Sequence, residues 1–346
     1  MPSGYLCPKG YSLQFFHFFK KNFQTHTEWK RTQLFNFLDY LVLIWYRLVH
    51  RENNKSGRKS MAKIENQGES RLLSFLKRNH SDSMLLACDY DGTLYRGIFP
   101  PLGRGFSAAD LGILLCLSRS PIQALRIAAA MTRLMFLLVR LRYRYIRGRI
   151  SMSRMDSILV HFFVRWVMRA VPARDLDLAA GRISGLTYPA ARKCIQLLAP
   201  RIHAAAIVSK AFEPVLSAVS RRLSALISGN WTTHGVRVIA HSPLEIDRNA
   251  SVLSRRDKYD RMQQLLDRFP RVRRVLVVGD TEDDIAMAEG ARDRLGGDAA
   301  FLIAVNAKDS VIRAAADLNL RNWRRLQRIL DRHDLKRPQK SGSGPG

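Results

Sequence analysis

Asp89 and Asp91 stand one residue apart, followed by Gly92 and Thr93, directly after the apolar run Leu85-Leu86-Ala87-Cys88. A short apolar run bounded by turn residues is the pattern of a buried parallel strand, and ligands in open α/β sheets sit at the carboxyl ends of such strands. A carboxylate placed there can act as nucleophile, as general acid or base, or as metal ligand. The same residues also fit an Asp-rich turn, because Asp-Gly is among the commonest turn dipeptides. What decides between the two is whether the rest of the chain brings suitable partners.

Three other segments carry polar groups at a strand end or a helix start. Residues 202–208 read as a strand ending in Ser209, and Lys258 opens a helical stretch over 258–269. Residues 274–278 give the clearest parallel-strand pattern, ending in Gly279-Asp280-Thr281-Glu282-Asp283-Asp284 ahead of a helix over 285–291. In a parallel sheet these ends converge. A carboxylate nucleophile, a carboxyl two residues on, a hydroxyl, a fixed ammonium and further carboxylates make a metal-assisted phosphoryl-transfer site. Each residue also has a plainer reading: Lys258 as a surface lysine, Ser209 as a helix cap, Asp280 and Asp284 as an exposed acidic turn. His203, His234 and His241 show no ligand spacing and receive no role.

The elements that must position these groups alternate strand and helix, with further strands over 236–240 and 300–305 and a largely helical 311–330. The expected fold class is α/β, a doubly wound, Rossmann-like, mostly parallel sheet with an inserted α-helical cap. The core takes residues 84–95 and 202–330, and the cap takes 96–201. Residues 1–83 form an aromatic-rich, then polar, N-terminal extension, and 331–346 form a tail with too little apolar content to fold. In the cap, Ser120-Pro121-Ile122-Gln123 starts a helix and Gly148 stops it. Its arginines recur every seven residues, at Arg119, Arg126, Arg133 and Arg140, and form one slowly drifting stripe. A second helix runs over 153–170.

Charge narrows the partners. The 346 residues hold 57 Lys plus Arg against 29 Asp plus Glu, a net +28, and the cap alone holds 18 basic and four acidic residues. Such a field favours anionic partners: phosphate esters, nucleic acid or acidic lipid. The arginine stripe reads either as a solvated helix face or as an anion-binding face. It does not read as a membrane span, since each arginine costs about 2.5–3.5 kcal/mol at the bilayer centre. A peripheral contact with an anionic membrane surface fits it; nucleic acid is less expected, because no base-reading module is recognised. Cys7, Cys88, Cys116 and Cys194 lack zinc or redox spacing, which suits a reduced, cytoplasmic chain with thiols as packing residues.

Taken together, Asp89-x-Asp91-x-Thr93, Ser209, Lys258 and Gly279-Asp280-x-x-x-Asp284 resemble, in order, the four motifs of the haloacid dehalogenase (HAD) superfamily. Ile207-Val208-Ser209-Lys210-Ala211-Phe212, Leu244-Glu245-Ile246-Asp247 and Val305-Asn306-Ala307-Lys308 are similar to segments of its phosphoserine-phosphatase-like branch, whose helical cap follows the first motif. The resemblance spans about residues 84–330. It implies a Mg²⁺-dependent phosphatase acting on a small-molecule phosphate monoester through an aspartyl-phosphate. Asp89 would be the nucleophile and Asp91 the acid and then the base. Thr93, Ser209 and Lys258 would bind the phosphoryl oxygens. Mg²⁺ would be held by Asp89, the Asp91 carbonyl and Asp280, with Asp284 holding one of its waters.

Four residues depart from the branch. Ile98 stands where phosphoserine phosphatases carry a Glu for the substrate's amino group, Lys210 and Ala211 replace two glycines, and Asp283 stands where Asn is frequent. The expected substrate is therefore a more anionic or partly apolar phosphate monoester than phosphoserine. The rival reading is a catalytically weak protein of the same fold that binds anionic membrane or nucleic acid through its arginine-rich cap.

Overall fold

Six segments, most of them apolar, pair into one parallel sheet. The computed structural model describes residues 58–77, 83–97, 107–118, 121–150, 152–167, 171, 173–226, 230–236, 255–307 and 310–333. Its strands are β1 (Ser83–Cys88), β2 (Ile202–Phe212), β3 (Asn230–Val236), β4 (Val272–Gly279), β5 (Ala300–Val305) and β6 (Leu318–Leu320). Their spatial order is β3-β2-β1-β4-β5-β6, with every pair parallel. Leu86 of β1 lies beside Ala205 of β2 on one side and Leu276 of β4 on the other. Central strands of a parallel sheet are covered on both faces, which is why β1 and β5 are apolar nearly end to end. The strand order reverses direction at β1 and β4, so their carboxyl ends open a crevice.

One face of the sheet is covered by α8 (Arg255–Arg268), α9 (Ile285–Leu295) and α10 (Ser310–Ala315). Met262, Leu265, Met287 and Ile312 pack there against the strand residues Leu85, Val275, Val277 and Leu302. The other face buries Leu72 of α1 (Arg58–Lys77), Ile195 of α6 (Pro189–Leu198), Val215 of α7 (Glu213–Ser224) and Leu326 of α11 (Trp323–Arg332) against Leu86, Leu276 and Ile303. Cys88 and Cys194 are buried, free thiols, and burial pushes both thiol pKa values up, as packing residues require.

The insert after β1 is helical: α2 (Ser107–Ser118), α3 (Pro121–Ile146), α4 (Met152–Trp166) and α5 (Ala173–Ser184). In α3 the buried residues Ile127, Ala130, Leu134 and Leu141 recur at helical spacing and join Leu159 and Phe163 of α4 in the core. Gly112 lets α2 approach: a Cβ there would stand 2.6 Å from the Met131 sulfur of α3. Gly148, at φ 66°, follows the end of α3, the position where a residue without Cβ is favoured.

The sequence-based expectations differ from the structure in four places. The helix expected over 153–170 is Met152–Trp166. The strand expected over 236–240 lies earlier, at Asn230–Val236; residues 237–240 are outside the described residues. The helical 311–330 is interrupted by β6. Asp317 makes the break, its carboxylate accepting the Leu302 N–H and pairing with Arg71 and Arg292, so the chain turns to run beside β5. Residues 58–77, grouped with the N-terminal extension, form α1; Leu72, Phe75 and Leu76 join the core, and Glu69 pairs with Arg332. The aromatic-rich residues 1–57, segment 244–247 and the tail from 334 lie outside the described residues. No helix among the described residues is long and apolar enough to cross a membrane.

Helix α11 also reaches the loop after β1. The Trp323 indole N–H donates to the Thr93 carbonyl at 2.8 Å, in a buried contact. Trp323→Phe keeps the packing but leaves that carbonyl unsatisfied, and should lower unfolding free energy by about 1–3 kcal/mol in a urea titration.

Candidate active site

Asp89 follows β1 directly, and its N–H donates to the Val278 carbonyl of the neighbouring β4, so the backbone continues the sheet for one more residue. Asp280 follows β4 in the same way and is fully buried. Lys258, in the first turn of α8, is buried too. Its ammonium donates to Asp89 Oδ1 at 2.9 Å and to Asp284 Oδ1 at 2.5 Å. Ser209, buried near the end of β2, also hydrogen-bonds Asp89. Four separate elements thus deliver side chains to one point.

The loop after β4 is fixed by its own acid. Asp284 Oδ2 accepts from the N–H groups of Asp280 and Thr281, each at 2.9 Å, and from the Thr281 hydroxyl at 3.1 Å. This is a capping box with Thr281, formed across a short 3₁₀ turn, Glu282–Asp284. Gly279 is required beneath it, because a Cβ there would come 2.3 Å from the Cβ of Asp284. The loop after β1 is held from several sides. Asn306 donates to the Gly92 carbonyl at 3.1 Å, and the Thr93 hydroxyl donates to Asp280 Oδ1 at 3.1 Å. Gly92 sits at φ 81°, and a Cβ on it would meet Asp280 Oδ2 at 2.5 Å.

Asp91 points elsewhere. Both of its oxygens accept from Ser107, one from the backbone N–H and one from the hydroxyl, each at 3.0 Å. Ser107 is the first residue of α2, so the first helix of the cap grips this carboxylate. Close by, the Tyr95 hydroxyl donates to Asp110 of the same helix.

Electrostatics follows from burial. Loss of hydration pushes the Asp89 carboxyl up to about 6, opposed by Lys258 and reinforced by Asp284. Burial likewise pushes Asp91 up to about 8; the Ser107 bonds oppose this, and Asp89 and Asp110 add to it. For Lys258 burial works against the charge, but Asp284 and Asp89 outweigh it and hold its pKa above the ordinary lysine range.

The site fits a divalent cation. Asp89, Asp280 and Asp284 are buried and each offers a carboxylate oxygen, these atoms lying within 4.8 Å of one another. Three carboxylates against one ammonium leave an excess of negative charge that a hard, oxygen-preferring cation would balance. Asp284 is the least available of the three, since Lys258 takes one of its oxygens and three donors take the other.

Of the residues singled out in the sequence, Asp89, Thr93, Ser209, Lys258, Asp280 and Asp284 come together, while the Asp91 side chain turns to the cap. Two of the departures meet as well: Lys210 pairs with Asp283 at 2.5 Å. Ile98 and Lys308 lie outside the described residues. Ser107 and Trp323 were not foreseen. Nothing in a serine or tryptophan distant in sequence signals a contact with the first loop.

Comparison with known proteins finds solved structures of low sequence identity. The chain is similar to cytosolic 5′-nucleotidase IIIB bound to cytidine, at 13% identity over 82% of this chain and 99% of that one, TM-score 0.46. It is also similar to a phosphoserine phosphatase from T. onnurineus, at 17% identity, 72% and 96% coverage and TM-score 0.41. A HAD family hydrolase from Salmonella enterica subsp. enterica serovar Typhi gives 14% identity, 69% and 67% coverage and TM-score 0.41. No family model and no curated protein matches the sequence. At these values function has to be read from the site.

The buried ammonium gives a direct test. Lys258→Met leaves Asp89 and Asp284 facing each other without a counter-charge, and should cost about 3–5 kcal/mol of stability in urea unfolding at neutral pH. Adding Asp89→Asn to that variant should restore part of the loss, whereas additive losses would mean the three groups are not coupled.

Proposed function

We propose that this chain is a Mg²⁺-dependent phosphatase of the HAD superfamily that hydrolyses a phosphate monoester through an aspartyl-phosphate on Asp89. The observation that carries the reading is the buried Lys258 ammonium joining Asp89, at the end of β1, to Asp284, with Asp280 within metal-sharing reach. Asp89, the Asp91 carbonyl and Asp280 would hold the cation, with Asp284 supporting the loop. When bound, the cation supplies positive charge against which an anionic phosphoryl group can approach a carboxylate.

In the first half-reaction an Asp89 carboxylate oxygen bonds to phosphorus as the ester P–O bond breaks. Asp91, in its acid form, gives a proton to the leaving alkoxide. In the second, Asp91 takes a proton from water, whose oxygen bonds to phosphorus while the P–O bond to Asp89 breaks. Free phosphate leaves and the carboxylate is restored. Ser209 and Lys258 both bond to Asp89, placed to hold the phosphoryl oxygens, with Thr93 fixing Asp280. For this chemistry Asp91 must exchange its Ser107 partners for the leaving group, which ties the acid to the position of α2.

The substrate class is a phosphate monoester other than phosphoserine. Ile98 in place of an acidic residue removes a partner for an amino group, and the Lys210–Asp283 pair replaces small, flexible backbone beside Ser209 with fixed side chains.

The test is phosphate release from a panel of phosphate esters with Mg²⁺ and with chelator. Release should require the cation, and Asp89→Asn should lower it by roughly 10³-fold or more while leaving the fold intact. No release from any ester by the wild type with Mg²⁺ would remove the enzyme reading. Phosphoserine as the best substrate by far would remove the substrate reading alone.

A further inference from the structure

Helix α3 carries two apolar faces, and among the described residues only one is packed. Ile127, Ala130, Leu134 and Leu141 are buried against α2 and α4. About half a turn away, Leu125, Ala129, Phe136 and Tyr143 follow at intervals of four, seven and seven residues and lie along one line of the helix. That second line is open: Leu125 and Phe136 are each 72% exposed and Tyr143 53%. Ile122, at 70%, and Ile146, at 60%, extend it to both ends of the helix. Beside it run Arg126, Arg133, Arg140 and Arg147, all exposed, and α3 contains no acidic residue.

Helix α4 adds to the same surface. Trp166 is half exposed, with Arg133 of α3 and Arg165 of α4 lying over its ring. Arg147 lies over Tyr143 in the same way. Apolar side chains, half-exposed Trp and Tyr, and arginines beside them are the composition of a helix lying in a membrane interface. There the rings sit at headgroup level and guanidinium groups meet lipid phosphates.

We propose that the exposed α3–α4 face of the cap docks peripherally on an anionic lipid membrane. Charge selects this occupant over the others. A second copy meeting the face symmetrically would set arginine stripe against arginine stripe. A nucleic acid would pair with the arginines but leave Leu125, Phe136 and Ile146 in contact with phosphate and water. An anionic bilayer accepts both kinds of side chain together. The inference is independent of phosphate-ester hydrolysis, because none of these residues belongs to the site around Asp89.

The test uses the full chain with vesicles of phosphatidylcholine, alone or with added phosphatidylglycerol, read by co-sedimentation. Binding should need phosphatidylglycerol and weaken as salt rises. The triple change Arg126→Gln, Arg133→Gln, Arg140→Gln should weaken it by about fivefold per arginine. Leu125→Ser with Phe136→Ser should abolish it without lowering the melting temperature, since both side chains are already exposed. Brominated lipid should quench tryptophan emission in wild type and fail to reproduce that loss in Trp166→Phe. The proposal is overturned if wild type ignores anionic vesicles. It is equally overturned if the variants bind as wild type does, which would put the contact elsewhere in the chain. Self-association abolished by Phe136→Ser without vesicle binding, or capture of duplex DNA but not vesicles, would assign the face to another partner.

Discussion

The Lys258 ammonium, buried between Asp89 and Asp284, is the contact on which the site depends. It joins the end of β1 to the loop after β4 through a residue contributed by α8. Two carboxylates held this close would otherwise repel each other and take up protons, giving up their charge. A buried triad of this kind adds little net stability, because the desolvation of three charges offsets most of their attraction. What it provides is position. The carboxylates are locked at the point where the sheet order reverses, and the excess negative charge there suits a divalent cation.

Two glycines show how tightly this point is drawn. Gly92 and Gly279 each lie where any side chain would run into Asp280 or Asp284, so the loops after β1 and β4 come together through backbone and carboxylate with no room between. The pairing of Lys210 with Asp283 belongs to the same economy of space and charge. A lysine introduced beside Ser209 would add positive charge next to Lys258, and an aspartate introduced beside Asp284 would add negative charge to an acidic loop. Set against each other, they offset, and the field at Asp89 is left to Lys258 and the neighbouring carboxylates.

How much of this could be read in the sequence follows the range of the forces involved. Four strands, β1, β2, β4 and β5, were legible, because burial on both faces leaves continuous apolar runs; β3, Asn230–Val236, carries no such run and meets its expected span only at Val236. β6 was not: Leu318-Asn319-Leu320 is too short, and its partner Asp317 acts through Arg71 and Arg292, far apart in sequence. The convergence of Asp89, Ser209, Lys258, Asp280 and Asp284 was legible from their places at strand and helix ends, given a parallel sheet. The grip of Ser107 on Asp91 and of Trp323 on Thr93 was not, since each rests on one or two hydrogen bonds between positions whose residue types are common anywhere. The Lys210–Asp283 pair lay between these cases. Each member stood out as a departure from the resemblance, but only the fold makes them partners.

The cap is mechanically continuous from its outer face to Asp91. Ser107 holds both oxygens of that carboxylate, and Tyr95 bonds Asp110 one turn further along α2. Gly112, less than a turn beyond, lets Met131 of α3 press directly onto α2. Packed helices shift as bodies rather than deform, so a displacement of α3 moves Ser107 with it. Asp91 is therefore the one site residue whose surroundings are set by the insert, while Asp89, Lys258 and Asp280 are set by the sheet. A partner that fixes the outer face of α3 would bear on the surroundings of Asp91 and not on those of Asp89, Lys258 and Asp280.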